Sequence, residues 1–335
     1  MAEKPKLAFY WCAACGGCDE AVLDLEEKLL DVVSSADIVF WPVALDFKRR
    51  DLAAMADASI LAAFVSGAIR TTEQQEMVRL LRSKSQLVFA FGSCSHLGGV
   101  PGLANLWTRD TIFQTVYTEN ASTPNLDGTL PQLITAEDGR ELTLPRFFDT
   151  VRALDQVVAV DYYLPGCPPT PKILLEAVNQ LLSGQLPERG AVLAPDHALC
   201  EDCPRRDSHP DHLALDEFKR PQEVLIDEGT CLLAQGILCL GPATRAGCEA
   251  QCIKGNMPCT GCFGPTSRVR DFGGKALSAI ASVAVAKEEA AILQAFENIP
   301  DPIGAFYRYS LPSSLLRRRR LQESGQLEAA HSPTG

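Results

Sequence analysis

The chain has 335 residues, a formal net charge of -11 and thirteen cysteines, and 46% of its residues are hydrophobic. This length predicts about two domains with an ordinary buried core. The negative charge argues against a nucleic-acid partner, because such binding depends on clustered Lys and Arg that neutralise phosphates. No stretch reaches the roughly 20 apolar residues of a membrane span, so we expect no direct membrane span.

Short apolar runs alternate with helical patterns through the first half of the chain, as in buried parallel sheets. The predicted strands cover residues 6–10, 37–42, 59–65, 86–91 and 157–163. The predicted helices cover residues 20–33, 71–82 and 171–182. This alternation predicts an α/β fold with a flavodoxin-like, doubly wound parallel sheet. Residues 118–146, rich in Pro and Asp-Gly pairs, predict a loop or hairpin insertion.

The character of the sequence changes near residue 190. Residues 191–275 hold eight of the cysteines and many Gly and Pro, but no long periodic segment. A core so poor in regular elements needs metals or cross-links. A helical pattern returns over residues 274–298, before a polar end. We therefore expect a flavodoxin-like domain over 1–190, an irregular cysteine-rich domain over 191–275, and a helical segment with a polar tail over 276–335.

The cysteines are expected to be reduced metal ligands. Residues 1–9 carry no charged-then-apolar leader, so we expect a cytoplasmic chain whose thiols stay free. Cysteines in such number and spacing are typical metal ligands in that setting. Iron-sulfur clusters of the 4Fe-4S type are the favoured interpretation. Structural zinc is the alternative, because a tetrahedral set of four thiolates suits either metal.

All five cysteines of the first half follow predicted strands. Cys12, Cys15 and Cys18 come after the first strand, Cys94 after the fourth and Cys167 after the fifth. The ends of the strands in a doubly wound sheet face one crevice, so these cysteines are expected to converge there. Helix N-termini at the same edge present N–H groups that favour the negative charge of a cluster.

Only four of these five cysteines are needed for one cluster. Cys12 directly follows Trp11 at the end of an apolar strand, where a thiol packs as a small hydrophobe, so we expect it to ligate nothing. Cys15 and Cys18 bracket two glycines and can bend round a cluster. Their C-x-x-C spacing alone also fits a redox pair or half of a zinc site.

The eight later cysteines divide into two sets of four, each sufficient for one cluster. The two sets are Cys200, Cys203, Cys231 and Cys239, and then Cys248, Cys252, Cys259 and Cys262. A zinc ribbon would need two C-x-x-C pairs about 15 to 20 residues apart, which this spacing does not provide. His197 stands three residues before Cys200, which is also a ligand spacing. His197 is therefore an alternative to Cys203 as the fourth ligand of the first of these sets.

Four motifs resemble the small, electron-transferring subunit of NiFe hydrogenases, over residues 6–316. They are Cys15-Gly-Gly-Cys18, Gly92-Ser93-Cys94-Ser95, Pro165-Gly166-Cys167-Pro168-Pro169 and Cys239-Leu-Gly-Pro-Ala-Thr-Arg-Ala-Gly-Cys248. The last of them, with the Cys259-Thr-Gly-Cys262 pair, is similar to the cytoplasmic group of this family. Within that group the chain resembles the viologen-reducing, heterodisulfide-reductase-linked small (gamma) subunits.

The resemblance implies three 4Fe-4S clusters and no catalytic residues in this chain. The proximal set is Cys15, Cys18, Cys94 and Cys167; the medial set is Cys248, Cys252, Cys259 and Cys262; the distal set is Cys200, Cys203, Cys231 and Cys239. Membrane-associated relatives use a histidine in the distal set, which is why His197 matters.

The resemblance also implies two partners. A NiFe hydrogenase large subunit would oxidise dihydrogen, and a downstream iron-sulfur or flavin redox subunit, such as a heterodisulfide reductase module, would receive the electrons. We expect Trp11, Phe91 and Leu97, which flank the proximal ligands, to contribute apolar surface for the large subunit, with burial in the strand core as the alternative for Phe91.

An alternative function is the iron-sulfur subunit of another ferredoxin- or quinone-linked oxidoreductase that has lost hydrogenase chemistry. The related quinone-oxidoreductase subunit of respiratory complex I shares the N-terminal fold. It has adjacent cysteines, however, and ends before any counterpart of residues 191–275.

Overall fold

The structure, a computed structural model, describes residues 3–285, 288–299 and 301–316. Its strands are β1 (Lys6–Trp11), β2 (Asp37–Phe40), β3 (Ile60–Ser66), β4 (Ile69–Thr71), β5 (Ser85–Phe91), β6 (Ile134–Glu137), β7 (Arg140–Thr143), β8 (Phe147–Arg152) and β9 (Tyr162–Leu164). Five of them form a parallel sheet in the order β2-β1-β3-β5-β9. The prediction of a doubly wound parallel sheet is therefore confirmed.

The described residues contain eleven α-helices, seven of them before residue 190. They are α1 (Gly17–Leu23), α2 (Lys28–Ser35), α3 (Arg49–Ala54), α4 (Thr72–Lys84), α5 (Ser93–Leu97), α6 (Arg109–Gln114), α7 (Pro171–Leu182), α8 (Gln251–Lys254), α9 (Phe272–Ala281), α10 (Glu289–Ala295) and α11 (Pro302–Phe306). The predicted helix over 171–182 is confirmed as α7, and α4 matches the prediction over 71–82 within two residues. Among the described residues, no helix is long and apolar enough to cross a membrane.

Two of the predicted helices are interrupted. The single helix expected over 20–33 is wrong, because Glu26 has a φ of 53° and the chain forms α1 and α2 instead. A left-handed residue cannot continue a right-handed helix. The helix expected over 274–298 is also wrong, since α9 ends at Ala281 and α10 begins only at Glu289. Residues 286 and 287, between them, lie outside the described residues.

A row of aromatic rings crosses one face of the parallel sheet. Phe9, Phe64, Phe89 and Tyr162 stand opposite one another on β1, β3, β5 and β9. Successive ring centroids lie 5.1, 4.7 and 5.2 Å apart, and all four side chains are buried. Such cross-strand pairs stabilise a sheet and fix its register. The carboxyl ends of these strands are therefore held at one edge of the sheet.

The insertion over 118–146 contains a hairpin, as predicted. Strands β6 and β7 pair antiparallel with Glu137 opposite Arg140, and every residue of both strands is exposed. The chain then returns through β8, which pairs antiparallel with β4.

The second half of the chain has its own core and few regular elements. Residues 191–271 contain one helix, α8, together with short 3-10 turns, and the longer α9 begins at Phe272, before the expected boundary at residue 275. Buried side chains from this part, among them Phe218, Leu240 and Ile253, share one core with Phe272 of α9 and Phe306 of α11.

A buried arginine, Arg245, links residues 194–196, which follow the central-sheet part of the chain, to the cysteine-rich part. The Arg245 guanidinium donates to the carbonyl oxygens of Ala194 (3.3 Å), Pro195 (3.1 Å) and Pro265 (3.0 Å). It also pairs with Asp196 at 2.9 Å, and its side chain is only 4% exposed. The planar guanidinium satisfies all four acceptors at once, which a lysine cannot do.

We expect Arg245→Lys to lower the free energy of unfolding by about 2 kcal/mol, because buried carbonyls would lose their donors. Thermal unfolding of the purified protein measures this as a lower Tm. Arg189→Lys is the matched control, since the Arg189 side chain is 67% exposed where it pairs with Asp161 and exposed pairs contribute little. Equal Tm values for the two variants would contradict the role given to Arg245.

Candidate iron-sulfur sites

Four cysteines from three separate segments lie at the carboxyl edge of the central sheet. Cys15 and Cys18 stand at the start of α1 after β1, Cys94 lies in α5 after β5, and Cys167 follows β9. Their thiols interact electrostatically: Cys18 with the other three, and Cys94 with Cys167 and Cys15. The structure thus brings together the four cysteines that were expected to meet in this crevice.

The inner part of this set is shielded from water. Cys18 and Cys94 are buried, whereas Cys15 and Cys167 are exposed. Burial, with a smaller effect of the neighbouring thiols, raises the pKa of Cys18 and raises the pKa of Cys94 to about 12. These thiols are therefore protonated at neutral pH when no metal is bound, so metal binding must displace their protons.

Two glycines form a cradle around the buried sulfurs. A Cβ atom on Gly92 would lie 2.4 Å from the Cys18 sulfur, and one on Gly99 would lie 2.4 Å from the Cys94 sulfur. Both glycines have positive φ, 83° and 59°, a conformation that glycine adopts at little cost. The backbone can therefore approach the sulfurs closely, and the four thiols are the donor set that a 4Fe-4S group takes.

Cys12 lies apart from this set. It is buried in the core on the opposite face of the sheet, with Ala8 and Val65, whereas Cys18 packs in the core that contains Phe9. Burial raises the pKa of the Cys12 thiol, and the nearby charge that adds to the effect is Asp19. This position suits a packing role, and the prediction that Cys12 is no ligand is unchanged.

A buried carboxylate beside Cys18 was missed in the sequence. The Trp41 indole N–H donates to Asp19 Oδ1 at 2.8 Å, and the Ser66 hydroxyl donates to Oδ2 at 3.2 Å. Asp19 thereby ties α1, which carries Cys18, to the ends of β2 and β3. Burial raises the pKa of Asp19, and its two side-chain donors oppose that shift. The available signal was an acidic residue directly after the C-x-x-C pair.

The expected partner surface is only partly present. Trp11 is 38% exposed, but Phe91 and Leu97 are 1% and 8% exposed. The expectation is therefore wrong for Leu97, and Phe91 takes the alternative position in the strand core. Phe91 packs edge-on against Phe64 in the aromatic core.

Cys200, Cys203, Cys231 and Cys239 line one concavity, of about 360 Å³ with its solvent opening. Burial, followed by the Cys239 thiol and the other two, raises the pKa of Cys200 to about 12. A Cβ atom on Gly241 would lie 3.1 Å from the Cys200 sulfur. The backbone at Gly241 therefore approaches the Cys200 sulfur closely, as Gly92 and Gly99 approach sulfurs of the first set.

Cys248, Cys252, Cys259 and Cys262 line a second, wider concavity, of about 970 Å³ with its solvent opening. The Cys262 thiol interacts electrostatically with Cys248 and Cys252, and Cys259 interacts with Cys262. Burial is the main cause that raises the pKa of Cys262 to about 12 and the pKa of Cys259 well above its ordinary value.

The second concavity lies between the other two sets. The backbone of Cys167 lies close enough to the Cys262 thiol to oppose the rise of its pKa, and the Ser93 hydroxyl donates to the Cys262 carbonyl oxygen. On its other side, the Cys259 N–H donates to the Cys239 sulfur at 3.4 Å. The three cysteine sets are thus contiguous, with the Cys248–Cys262 set in the middle.

His197 has a partner outside the cysteine sets. Its Nε2 lies 2.9 Å from Asp202 Oδ1, and its side chain is 36% exposed. Cys203 lines the concavity with the other three thiols, and its sulfur accepts the Arg205 N–H at 3.4 Å.

Within the part of the chain that the structure describes, no three His, Cys, Asp or Glu side chains lie close enough together to hold one metal ion. Each set supplies four thiols, a donor set that a zinc ion or a 4Fe-4S group takes.

A doubly wound sheet with thiols at its carboxyl edge, continued by an irregular eight-cysteine unit, is the architecture of an iron-sulfur oxidoreductase subunit. The small subunit of the [NiFeSe] hydrogenase of Desulfovibrio vulgaris Hildenborough has the same fold, with a TM-score of 0.51 at 18% identity, over 79% of this chain and 95% of the other. The family described as "NADH ubiquinone oxidoreductase, 20 Kd subunit" matches residues 15–181.

Relatives match nearly the whole chain. An iron-sulfur subunit of the F420-non-reducing hydrogenase of Archaeoglobus profundus is 40% identical over 94% of this chain and 98% of its own length. The corresponding F420-non-reducing hydrogenase subunit of Methanothermobacter thermautotrophicus is 37% identical over 97% and 100%. The chain therefore belongs to the NiFe hydrogenase small-subunit family. Members of this family carry iron-sulfur clusters, transfer electrons and pair with a large subunit.

Proposed function

We propose that this chain is the electron-relay subunit of a cytoplasmic NiFe hydrogenase and holds three 4Fe-4S groups. It would connect dihydrogen oxidation in the large subunit to a downstream iron-sulfur or flavin redox subunit, such as a heterodisulfide reductase module. The observation that carries the proposal is the contiguity of the three cysteine sets, which meet at Cys262 and at the Cys259–Cys239 hydrogen bond.

Each group would be held by one of the sets. Cys15, Cys18, Cys94 and Cys167 would hold the proximal group, Cys248, Cys252, Cys259 and Cys262 the medial group, and Cys200, Cys203, Cys231 and Cys239 the distal group. The order follows the contacts, because the set around Cys262 touches both of the others. Cys203 is preferred to His197 in the distal set, since His197 is bonded to Asp202.

When bound, a 4Fe-4S group accepts and releases one electron at a time. The chain supplies the thiolate ligands and controls their surroundings. The backbone N–H of Cys259 donates to the Cys239 sulfur of the neighbouring set, and such a hydrogen bond stabilises negative charge on sulfur. Burial of Cys18 and Cys94, of Cys259 and of Cys239 keeps water from part of each set.

The acceptor is inferred from the relatives and from the resemblance. The relatives are named for hydrogenases that do not reduce F420, which supports a different electron acceptor for this chain. A redox protein that docks near the distal set fits the position of Cys203 and Cys231, both only partly buried.

The test is the metal content of the anaerobically purified complex of this chain with its large subunit. We expect about twelve iron and twelve sulfide per small subunit, from three sets of four cysteines, and reduction of the iron-sulfur absorption under dihydrogen. Zinc in place of iron would contradict the proposal. About four iron would confine the relay to the proximal set. A full iron content without reduction by dihydrogen would favour the alternative oxidoreductase.

A further inference from the structure

A buried hydroxyl lies against one cysteine of the middle set. Thr244 is 1% exposed, and its Oγ1 lies 3.4 Å from the sulfur of Cys259 and 2.7 Å from the carbonyl oxygen of Leu240. The hydroxyl has a single hydrogen, so it can donate fully to only one of these two acceptors.

The Leu240 carbonyl does not need that hydrogen. It already accepts the backbone N–H groups of Ala243 and of Thr244 itself, both at 3.1 Å. A carbonyl oxygen has two lone pairs, and these two donors occupy them. The Thr244 hydroxyl can therefore turn towards the sulfur without leaving a buried carbonyl unpaired.

The direction of the sulfur contact depends on what the sulfur carries. In a free thiol, Cys259 donates its S–H to Thr244 Oγ1. A sulfur that ligates iron carries no proton, so Thr244 then has the only hydrogen available for this contact. The distance of 3.4 Å suits an O–H donor to sulfur, and the buried position excludes water as a substitute.

We propose that Thr244 is a positioning residue that donates a hydrogen bond to the iron-bound sulfur of Cys259 and raises the reduction potential of the medial group. The inference rests on the proposed function, because it needs an iron-sulfur group at that set. A donor to sulfur stabilises the reduced, more negative state more than the oxidised one.

The contact between Thr244 and Cys259 lies on the side of the medial set that faces the distal set. The Cys259 N–H donates to the sulfur of Cys239, a cysteine of the distal set. Thr244 therefore acts at the ligand nearest the next set and sets the medial potential relative to the distal one.

The test is an anaerobic redox titration of the complex, followed by electron paramagnetic resonance. Thr244→Val keeps the shape and removes the hydroxyl. We expect one of the three transitions to shift to more negative potential, with about a fivefold lower ratio of reduced to oxidised centre at a fixed potential, as for one lost hydrogen bond. Thr244→Ser keeps a hydroxyl and should restore the wild-type transition.

Thr260→Val is the matched control. Thr260 directly follows Cys259, but its hydroxyl is bonded to the Tyr309 hydroxyl at 3.0 Å, so its loss should leave all three transitions in place. If Thr244→Val does not retain iron, Thr244→Ala against Thr244→Ser gives the same comparison. A wild-type potential in the loaded hydroxyl-free variants would overturn the inference alone. A wild-type complex without an iron-sulfur group at the middle set would overturn both this inference and the proposed function.

Discussion

Replacement of Cys18 by alanine is expected to remove the proximal group, about four of the twelve iron atoms, and to abolish dihydrogen-dependent reduction of the remaining groups. Cys18 is buried at the start of α1, and its thiol interacts with those of Cys15, Cys94 and Cys167. Three thiols at a partly buried site leave one iron without its protein ligand. This set, at the edge of the sheet, is the one proposed to lie nearest the large subunit. Its loss would therefore interrupt electron transfer from the large subunit to the other two groups.

Cys12→Ala is the matched control for this experiment. Cys12 precedes Cys18 by six positions and is equally shielded, but it packs on the opposite face of the sheet with Ala8 and Val65. We expect full iron content and full electron transfer, with a loss of about 1 kcal/mol of stability from the smaller side chain. Iron analysis and reduction under dihydrogen measure both variants. Loss of iron in Cys12→Ala with retention in Cys18→Ala would reverse the assignment of the ligands.

The sheet and the convergence of the first cysteines could be predicted from the sequence because one topological rule governs both. Apolar runs with short helical patterns between them indicate a parallel sheet, and the carboxyl ends of such strands meet at one edge. The start of α7 has a local signal as well, since Pro171 occupies its first position. The helix signal depends only on neighbouring residues, and the common edge of the strands depends only on their parallel direction.

The break between α1 and α2 could not be predicted in the same way. The apolar positions continue through residues 20–33, and nothing in that pattern requires Glu26 to take a positive φ. Leu25 and Leu29, on either side of Glu26, both pack into the core beneath the aromatic row. Tertiary packing of these leucines overrides the helical propensity of the segment.

Buried polar residues were the other gap in the sequence interpretation. Asp19 bonds to Trp41 and Ser66, which lie 22 and 47 residues away. Arg245 bonds to carbonyl oxygens 20 to 51 residues away. Hydrophobic periodicity carries no information on such partners, because a charged residue reads as exposed unless its acceptors are known. In the cysteine-rich part, where regular elements are few, these contacts and the thiols determine the conformation.

Gly92→Ala is expected to disrupt the proximal site almost as severely as loss of a ligand. The added methyl would lie 2.4 Å from the Cys18 sulfur and 3.4 Å from the Gly166 carbonyl oxygen. The sulfur cannot move aside and still reach the iron, and the backbone around Gly166 is fixed by the Ser93 N–H, which donates to that carbonyl at 2.7 Å. We therefore expect about four iron atoms fewer per chain, with the other two groups retained.

Gly184→Ala separates this clash from the backbone strain of a positive φ. Gly184 has a φ of 70°, close to the 83° of Gly92, but a Cβ atom there would meet no atom within 4 Å. Its replacement should cost about 1 kcal/mol of stability through left-handed strain and leave the iron content unchanged. Iron and sulfide analysis of both variants, with thermal unfolding alongside, distinguishes the two causes. If Gly92→Ala retained all its iron, the Cys18 sulfur would have to lie elsewhere in the loaded protein, and the cradle described around it would not exist.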